Sequence, residues 1–358
     1  METIIKKVRE DDIDEAVMEE ATELLRAGKL VAFPTETVYG LGADGLNAEA
    51  SKKIYAAKGR PSDNPLILHI AEVSQLDELT ADIPEAAKIL MDRYWPGPLT
   101  MIFRKSEKVP YSTTGGLDTV AIRMPSHPVA RRLLQVSKVA VAAPSANTSG
   151  RPSPTLAEHV KEDLDGKIDM IIDGGEVGIG IESTIVDVTG PVPMILRPGF
   201  ITLEMLEDTL GEVSVDQAIL HKPDPGLRPK APGMKYKHYA PKGDLTLVEG
   251  EPEAVTREIQ KLVKEKCMQG YRVGVIATEE NKACFSQGDV KSVGSRNDLL
   301  SISHNLYRVL REFDTDQMDF IYGEAFDQKN FGQAVMNRLN KAAGYKIIKV
   351  SPQKAGSE

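Results

Sequence analysis

Val139-Ala-Val-Ala-Ala-Pro-Ser-Ala-Asn-Thr-Ser-Gly-Arg-Pro-Ser-Pro-Thr155 opens as an apolar strand and turns, at Pro144, into a loop of small and hydroxyl-bearing residues. A short apolar run bounded by turn formers reads as a buried strand. From Ala142 onward the loop carries five hydroxyls and the amide of Asn147, and its prolines make it an ordered one. A buried strand that ends in a polar loop is how α/β proteins present ligand sites, because the sheet is rigid and the strand ends are open. A serine-rich surface loop has a similar composition, so the neighbouring segments must decide between the two.

Those neighbours repeat the pattern. Val31–Phe33 is a short apolar run, and Leu66–Ile70, Val120–Met124, Met170–Asp173, Thr184–Val188 and Met194–Leu196 read as further strands. Helical periodicity covers Ile13–Arg26 with Gly28 as its stop, Ala48–Lys58 ended by Gly59, Ile83–Tyr94 and Pro128–Val136. This predicts an α/β domain with a large mixed sheet over residues 1–210. Residues 211–243 form a basic, proline-rich linker or lid, broken by Pro223, Pro225, Pro229, Pro232 and Pro241. Residues 244–350 predict a smaller three-layer, Rossmann-like α/β domain. Its strands are Leu245–Val248, Arg272–Ala277, Met318–Tyr322 and Tyr345–Val350; its helices are Glu253–Met268, Asp298–Phe313 and Gly332–Ala343. It lacks GxGxxG, so its appearance alone is no argument for a nucleotide. Residues 351–358 are a tail.

A chain of 358 residues is long enough for two such domains. The net charge of -9 argues against a generally nucleic-acid-binding surface. The exception is His221–Lys242, which carries six Lys and Arg residues against Asp224 alone. Two cysteines, Cys267 and Cys284, are too distant in sequence for a CxxC pair and fit a reducing compartment. The N-terminus has no apolar signal-peptide core, and no run is long enough to span a membrane. The expectation is a cytoplasmic protein.

Several chemistries are set aside by their missing patterns: there is no P-loop, no HExxH, and Ser145 stands in Ala-Pro-Ser-Ala-Asn rather than in GxSxG. No metal-ligating set of side chains is expected. What remains is a series of polar, turn-rich segments. Phe33-Pro-Thr-Glu-Thr-Val-Tyr-Gly-Leu-Gly42 offers the hydroxyls of Thr35, Thr37 and Tyr39, which a strand end could equally satisfy internally. Lys58-Gly-Arg-Pro-Ser-Asp-Asn-Pro-Leu66 places Lys58 and Arg60 at a helix C-terminus, where cations compensate the dipole or bind phosphate. Alternation puts His69 with Ile67 on one strand face, where a satisfied core histidine is the plainer reading. Alternation also puts Thr119, Ala121 and Arg123 on one face, where Arg123 needs an internal acid or a substrate carboxylate. Asp173-Gly-Gly-Glu-Val-Gly-Ile-Gly-Ile-Glu-Ser-Thr-Ile-Val-Asp187 delivers Ser183 onto a strand, and Arg197-Pro-Gly199 ends the next. In the linker, Pro232–Pro241 interleaves Tyr236 and Tyr239 with cations and His238, as a solvated linker, a lid over polyphosphate or an RNA-contacting strip would.

Taken in order, FPTETVYGLG, KGRPSDNPL, WPGPLT (Trp95–Thr100), APSANTSG with PSPT, ESTIVD, LRPG and PGMKYKHYAP resemble the L-threonylcarbamoyladenylate synthases, the YrdC-like proteins in their long two-domain form. The resemblance covers about residues 10–242; LYRVLREFD and GQAVMNRLNKAA resemble the second domain of that form less specifically. It implies an N-terminal YrdC-like α/β domain with a deep cationic cavity. It also implies a nucleotidyltransferase reaction: L-threonine, bicarbonate or CO2, and ATP with Mg2+ give threonylcarbamoyl-AMP and pyrophosphate. The product serves threonylcarbamoyladenosine modification of tRNA next to the anticodon and passes to a tRNA threonylcarbamoyl-transfer complex. By the same resemblance Lys58, Arg60, Ser145 and Asn147 form the central catalytic set. Thr35, His69, Arg123 and Ser183 hold threonine, with Arg123 on its carboxylate. Ser62, Thr119, Ser153, Arg197, Tyr236 and His238 complete the ATP pocket.

Two rivals use the same cavity. An RNA-binding module would bind tRNA without turnover, against which stand the acidic total and the lack of an aromatic-rich sheet motif; stable RNA binding is not expected. A carbamoyltransferase would accept carbamoyl phosphate, but the chain carries nothing like the additional domains of the carbamoyltransferases that contain related domains. A membrane partner is not expected.

Overall fold

The first strand, β1 (Ile4–Lys7), leads into α1 (Glu15–Arg26), whose first turn is closed by the Asp14 carboxylate accepting from the N–H groups of Ala16 and Val17. The computed structural model describes residues 2–219, 229–232 and 238–351. Contacts divide the chain into two units, Met1–Ser149 with Ser153–Tyr236, and Gly150–Pro152 with Lys237–Glu358.

In the first unit β2 (Val31–Phe33) and β3 (Gly40–Asp44) are followed by α2 (Ala48–Lys58), capped by the Asn47 side chain and ended by Gly59 at φ 60°. That left-handed terminus suits glycine and turns the chain sharply after Lys58. Then come β4 (Ile67–His69), α3 (Leu76–Leu79), α4 (Glu85–Tyr94), β5 (Leu99–Arg104), α5 (Tyr111–Thr114), β6 (Thr119–Arg123) and α6 (Pro128–Ser137). The unit continues with β7 (Val141–Ala142), α7 (Ala157–Leu164), β8 (Met170–Asp173), β9 (Thr184–Asp187), β10 (Met194–Arg197), α8 (Leu203–Leu210) and β11 (Ser214–Val215). The strands make one 11-stranded mixed sheet in the order β1-β8-β2-β3-β7-β4-β6-β5-β9-β10-β11.

The two faces of this sheet are covered differently. Leu66, Leu68 and Ile70, with Val120, Ile122 and Met124, point to the face packed by α2, α4, α7 and α8. On the opposite face α1 and α6 pack over Val31, Phe33, Val141, Met170 and Ile172. Further along that second face, Ile67, Ile102, Ala121, Ile185 and Leu196 gather around Ala231. His69, Arg123 and Thr100 share this face by alternation, because their strand neighbours point to the other one.

The second unit contains β12 (Asp244–Glu249), α9 (Pro252–Met268), β13 (Val273–Ala277), β14 (Asp289–Ser292), α10 (Leu299–Thr315), β15 (Phe320–Glu324), α11 (Phe331–Ala342) and β16 (Ile347–Lys349). Its five strands are all parallel, in the order β14-β13-β15-β12-β16. Gly150–Pro152 belong to this unit: the Ala240 N–H donates to the Gly150 carbonyl at 2.9 Å, and buried Arg311 donates to the Pro152 carbonyl at 2.7 Å.

The expected α/β class, the large mixed sheet and the smaller Rossmann-like unit are all present. Five strands were not anticipated. β1 and β14 are short and largely polar, β3 is rich in glycine, and β11 has two residues. β5 is different: four of the six residues in Leu-Thr-Met-Ile-Phe-Arg are apolar, and the adjacent Trp95–Pro98 turn hid it. The strand expected over Val139–Ala143 shrinks to Val141–Ala142. The first sheet also runs past the expected boundary at Leu210, since β11 pairs with β10 through Met194–Ser214 and Ile195–Val215. The seven expected helices fall within about two residues of their places, as strong periodicity allows, whereas α3, α5, α7 and α8 were not anticipated.

Candidate active site

Lys58 is the last residue of α2 and is 1% exposed. Its ammonium donates to the Asn147 carbonyl at 2.5 Å, to the Ser145 carbonyl, and more weakly to Asn147 Oδ1 at 3.4 Å. The Lys58 carbonyl accepts from the Ser149 N–H at 2.8 Å. One residue therefore ties the Ser145–Ser149 loop at both ends, and the cation is not a solvated helix terminus. The same loop is zipped to the Thr35–Gly42 segment: the N–H groups of Leu41, Ala146 and Tyr39 donate to the carbonyls of Pro144, Tyr39 and Pro154. Ser145 is partly buried, and its hydroxyl has no hydrogen-bond partner among the described residues. Asn147 is buried and its amide donates to the Thr148 carbonyl at 2.9 Å.

Arg60 is pinned on the turn that follows. Its guanidinium donates to the carbonyls of Asn64 (3.3 Å) and Pro65 (2.9 Å), and its N–H closes on Tyr55. Ser62 lies exposed on the same turn.

A second group forms a row across neighbouring strands. Register places Ile185 opposite Thr100, Thr100 opposite Arg123, Arg123 opposite His69, and His69 opposite Val141. Ser183 joins this row through a 2.7 Å hydrogen bond between its hydroxyl and that of Thr100. Arg197, at the end of β10, donates to the Ser183 carbonyl (3.0 Å) and hydroxyl (3.1 Å) and to the Pro232 carbonyl (3.4 Å). Thr119 starts β6, on the same face as Arg123. Ser153 is buried and donates to the Glu182 carboxylate.

Arg123 finds its counter-charge inside the protein. Its guanidinium stands 2.7 Å from Glu36 and donates to the Thr37 hydroxyl (2.9 Å) and the Gly97 carbonyl (3.2 Å). Burial pushes the Glu36 carboxyl up, but the Arg123 charge and the hydrogen bonds from Arg123 and from the backbone of Glu36 and Ser126 outweigh it and hold the group below its usual range. The internal acid that an arginine on a sheet face requires is therefore Glu36, a residue the motif displayed without its role being legible. Three of the five guanidinium N–H groups are engaged in this way, so two remain. Thr35 is likewise used locally: its hydroxyl donates to the Val38 carbonyl at 2.6 Å and shapes the turn that presents Glu36 and Thr37.

His69 is buried, its Nδ1 lies 3.2 Å from the Ile67 carbonyl, and its ring meets Phe33 edge-on at 6.3 Å. Desolvation, followed by the Arg123 charge, lowers its pKa to about 3, so it is neutral at physiological pH. Tyr236 lies outside the described residues. His238 falls in the second unit, its ring against Tyr239 at 5.4 Å. Thr100 and Glu182 were missed from the sequence because each acts only through a partner remote in the chain, and Thr37 was offered as a hydroxyl without its partner Arg123.

Fold and site together define a two-unit α/β protein whose larger unit presents a lysine-locked polar loop and a cross-strand row of cation, imidazole and hydroxyls. Comparison with known proteins agrees. The family model Sua5_yciO_yrdC, described as telomere recombination, matches residues 23–199, and that of the threonylcarbamoyl-AMP synthase C-terminal domain matches residues 201–344. The chain is similar to the threonylcarbamoyl-AMP synthase of Bacillus subtilis (strain 168), 52% identical over 92% of this chain and 94% of the relative. The Pyrococcus abyssi threonylcarbamoyl-AMP synthase is 50% identical over 97% of this chain and 100% of its own. The crystal structure of P. abyssi Sua5 complexed with L-threonine matches with a TM-score of 0.92 and 49% identity, covering 97% of this chain and 100% of that one. The chain belongs to the threonylcarbamoyl-AMP synthase family, in its two-domain Sua5 form.

Proposed function

We propose that this chain converts L-threonine, bicarbonate or CO2, and ATP into L-threonylcarbamoyl-AMP and pyrophosphate. The observation that carries the reading is the pairing of the Lys58-locked Ser145–Asn147 loop with the row of His69, Arg123, Thr100 and Ser183. It is supported by relatives of the same length that bear this activity in their names, and by a relative solved with L-threonine.

In this reaction the threonine nitrogen attacks CO2 and loses a proton to give a carbamate; starting from bicarbonate, the same step also expels water. A carbamate oxygen then attacks the α-phosphorus in line as the bond to pyrophosphate breaks. No protein nucleophile is needed, so the chain's contribution is positioning and charge. Lys58 and Arg60 serve the phosphates and the transferring carboxylate, Lys58 through the loop it locks, and Ser145 and Asn147 hold the α-phosphate or carbamate. In the threonine subsite, the free N–H groups of Arg123 take the carboxylate, Ser183 and neutral His69 line it, and Thr35 acts through its turn. Ser62, Thr119, Ser153 and Arg197 border the nucleotide, with Arg197 acting through Ser183.

Among the described residues no three His, Cys, Asp or Glu side chains are grouped to hold a metal, so Mg2+ would travel on the triphosphate and neutralise it, liganded by phosphate oxygens and water. No helix among the described residues is long and apolar enough to cross a membrane. The product would feed threonylcarbamoyladenosine formation in cytoplasmic tRNA through a separate transfer complex. The test is release of pyrophosphate that requires threonine, ATP and bicarbonate together. Turnover with carbamoyl phosphate in place of threonine and bicarbonate, or tight salt-sensitive tRNA binding without turnover, would overturn it.

A further inference from the structure

The second unit has a candidate site of its own. In an open parallel sheet, ligands sit at the carboxyl ends of the strands, where the connections of two neighbouring strands diverge. β13 and β15 are such neighbours: β13 leads outward to β14 at one flank, and β15 leads through α11 to β16 at the other. Their carboxyl ends carry a built polar cluster. Glu324, the last residue of β15, is 3% exposed, and its Oε1 accepts from Thr278 (3.1 Å) and from the Asn281 amide (2.9 Å). Its other oxygen pairs with Arg296, from the loop after β14. Arg296 Nε is enclosed yet has no hydrogen-bond partner.

Beside this cluster lies a cavity of about 410 Å³, at the small end of the range for small-molecule pockets. Its polar lining includes Arg296, Arg257, Asn281 and Glu280. Glu280 is held ionised, its pKa lowered to about 2, because the Arg296 N–H and the Ser295 hydroxyl donate to it. The Arg257 guanidinium lies 3.8 Å from Glu253 and is free to swing between that exposed carboxylate and a ligand. Two guanidinium groups and two carboxylates line one small space. With Glu324 behind Arg296, this mixed lining favours a small molecule bearing both signs, whereas a polyphosphate would meet the carboxylates.

We propose that this cavity binds a free amino acid, its carboxylate on Arg296 and Arg257 and its ammonium on Glu280. The exposed part of the Arg296 guanidinium supplies the first contact, and the fixed Glu280 carboxylate supplies the second. The site stands apart from the reaction proposed above and does not depend on it.

Cys284 lines the same cavity and is exposed, while Cys267 is outside it, so the full chain contains its own reporter and its own control. Alkylation of the two thiols by iodoacetamide, read by peptide mass, is measured with glycine, L-serine, L-threonine, L-glutamate or L-lysine at millimolar concentration. At least one amino acid slows Cys284 several-fold and leaves Cys267 unchanged, and its amide and its N-acetyl derivative do not. Arg257→Ala and Glu280→Gln, both at exposed positions, abolish the protection while the Cys267 rate and the melting temperature stay as in the parent. The proposal is overturned if none of the five amino acids protects Cys284, if protection survives in both variants, or if inorganic phosphate protects and the amino acids do not.

Discussion

The guanidinium of Arg123 and the carboxylate of Glu36 stand 2.7 Å apart, both largely buried, on the face of the first sheet that also carries His69 and Thr100. The pair holds a cation ready with donors to spare, with Glu36, Thr37 and the Gly97 carbonyl fixing its position. Removing one partner of such a pair strands the other. Glu36→Ala should lower the unfolding free energy by about 3 kcal/mol, read by chemical denaturation, and should raise the KM for threonine. Glu36→Gln keeps the shape and an acceptor and should cost less. Because the folded pKa of Glu36 lies below its unfolded value, its stabilisation is full above the ordinary carboxylate range and is lost as pH falls through the folded value. Equal stability of Glu36→Ala and parent at pH 7 would show that the ion pair contributes nothing.

His69 predicts a different pH window. Its folded pKa of about 3 lies below the ordinary histidine value, so on acidification the unfolded chain takes up the proton first. Stability from this residue is complete above the unfolded pKa and falls by about 1.4 kcal/mol per pH unit below it, until the folded value is reached. His69→Gln should flatten that slope. The imidazole resonances of His69 should not titrate between pH 5 and about 8, the span in which an ordinary histidine changes charge; titration there would contradict the burial argument.

Lys58 acts through the loop it holds. In Lys58→Ala the carbonyls of Ser145 and Asn147 lose their shared donor, and the loop can shift by the small distances that matter to in-line transfer. Pyrophosphate release should fall by about 100-fold or more. Lys58→Met fills the same buried space without the charge and should be equally inactive while keeping more of the melting temperature. A Met variant with parental activity would show that the stem, rather than the ammonium, is what the site needs.

Gly199 tests the Ser183 end of the row. A Cβ at that position would lie 2.4 Å from the Thr184 nitrogen and 2.8 Å from the Ser183 carbonyl carbon, so the Ser183 backbone must move. Gly199→Ala should raise the KM for threonine by about tenfold, equivalent to 1.4 kcal/mol, and leave the KM for ATP near the parent. A matched rise in both would place Ser183 in the nucleotide pocket instead.

Much of this protein was legible in its residues alone. Period-two alternation placed His69 with Ile67, and Arg123 with Ala121, on one strand face, and the structure keeps both pairs there. Gly28 and Gly59 marked where α1 and α2 end, because helix termination is local in sequence. The polar loop from Pro144 to Thr155 was marked by composition, and its resemblance to a family supplied its chemistry. Strands of the β1, β3 and β14 kind stayed hidden, because their identity comes from the pairing partner and not from their own side chains.

Only the tertiary structure decided which charges meet. Lys58 and Asn147 are 89 residues apart in the chain, and Arg123 and Thr37 are 86 apart. The sequence by itself determined that Arg123 needed an anion and that Lys58 stood at a helix end. Tertiary structure chose Glu36 for the one and two backbone carbonyls for the other. The physical reason is that helix caps and strand faces follow from neighbours a few residues away, whereas the partner of a buried charge depends on which strands lie side by side.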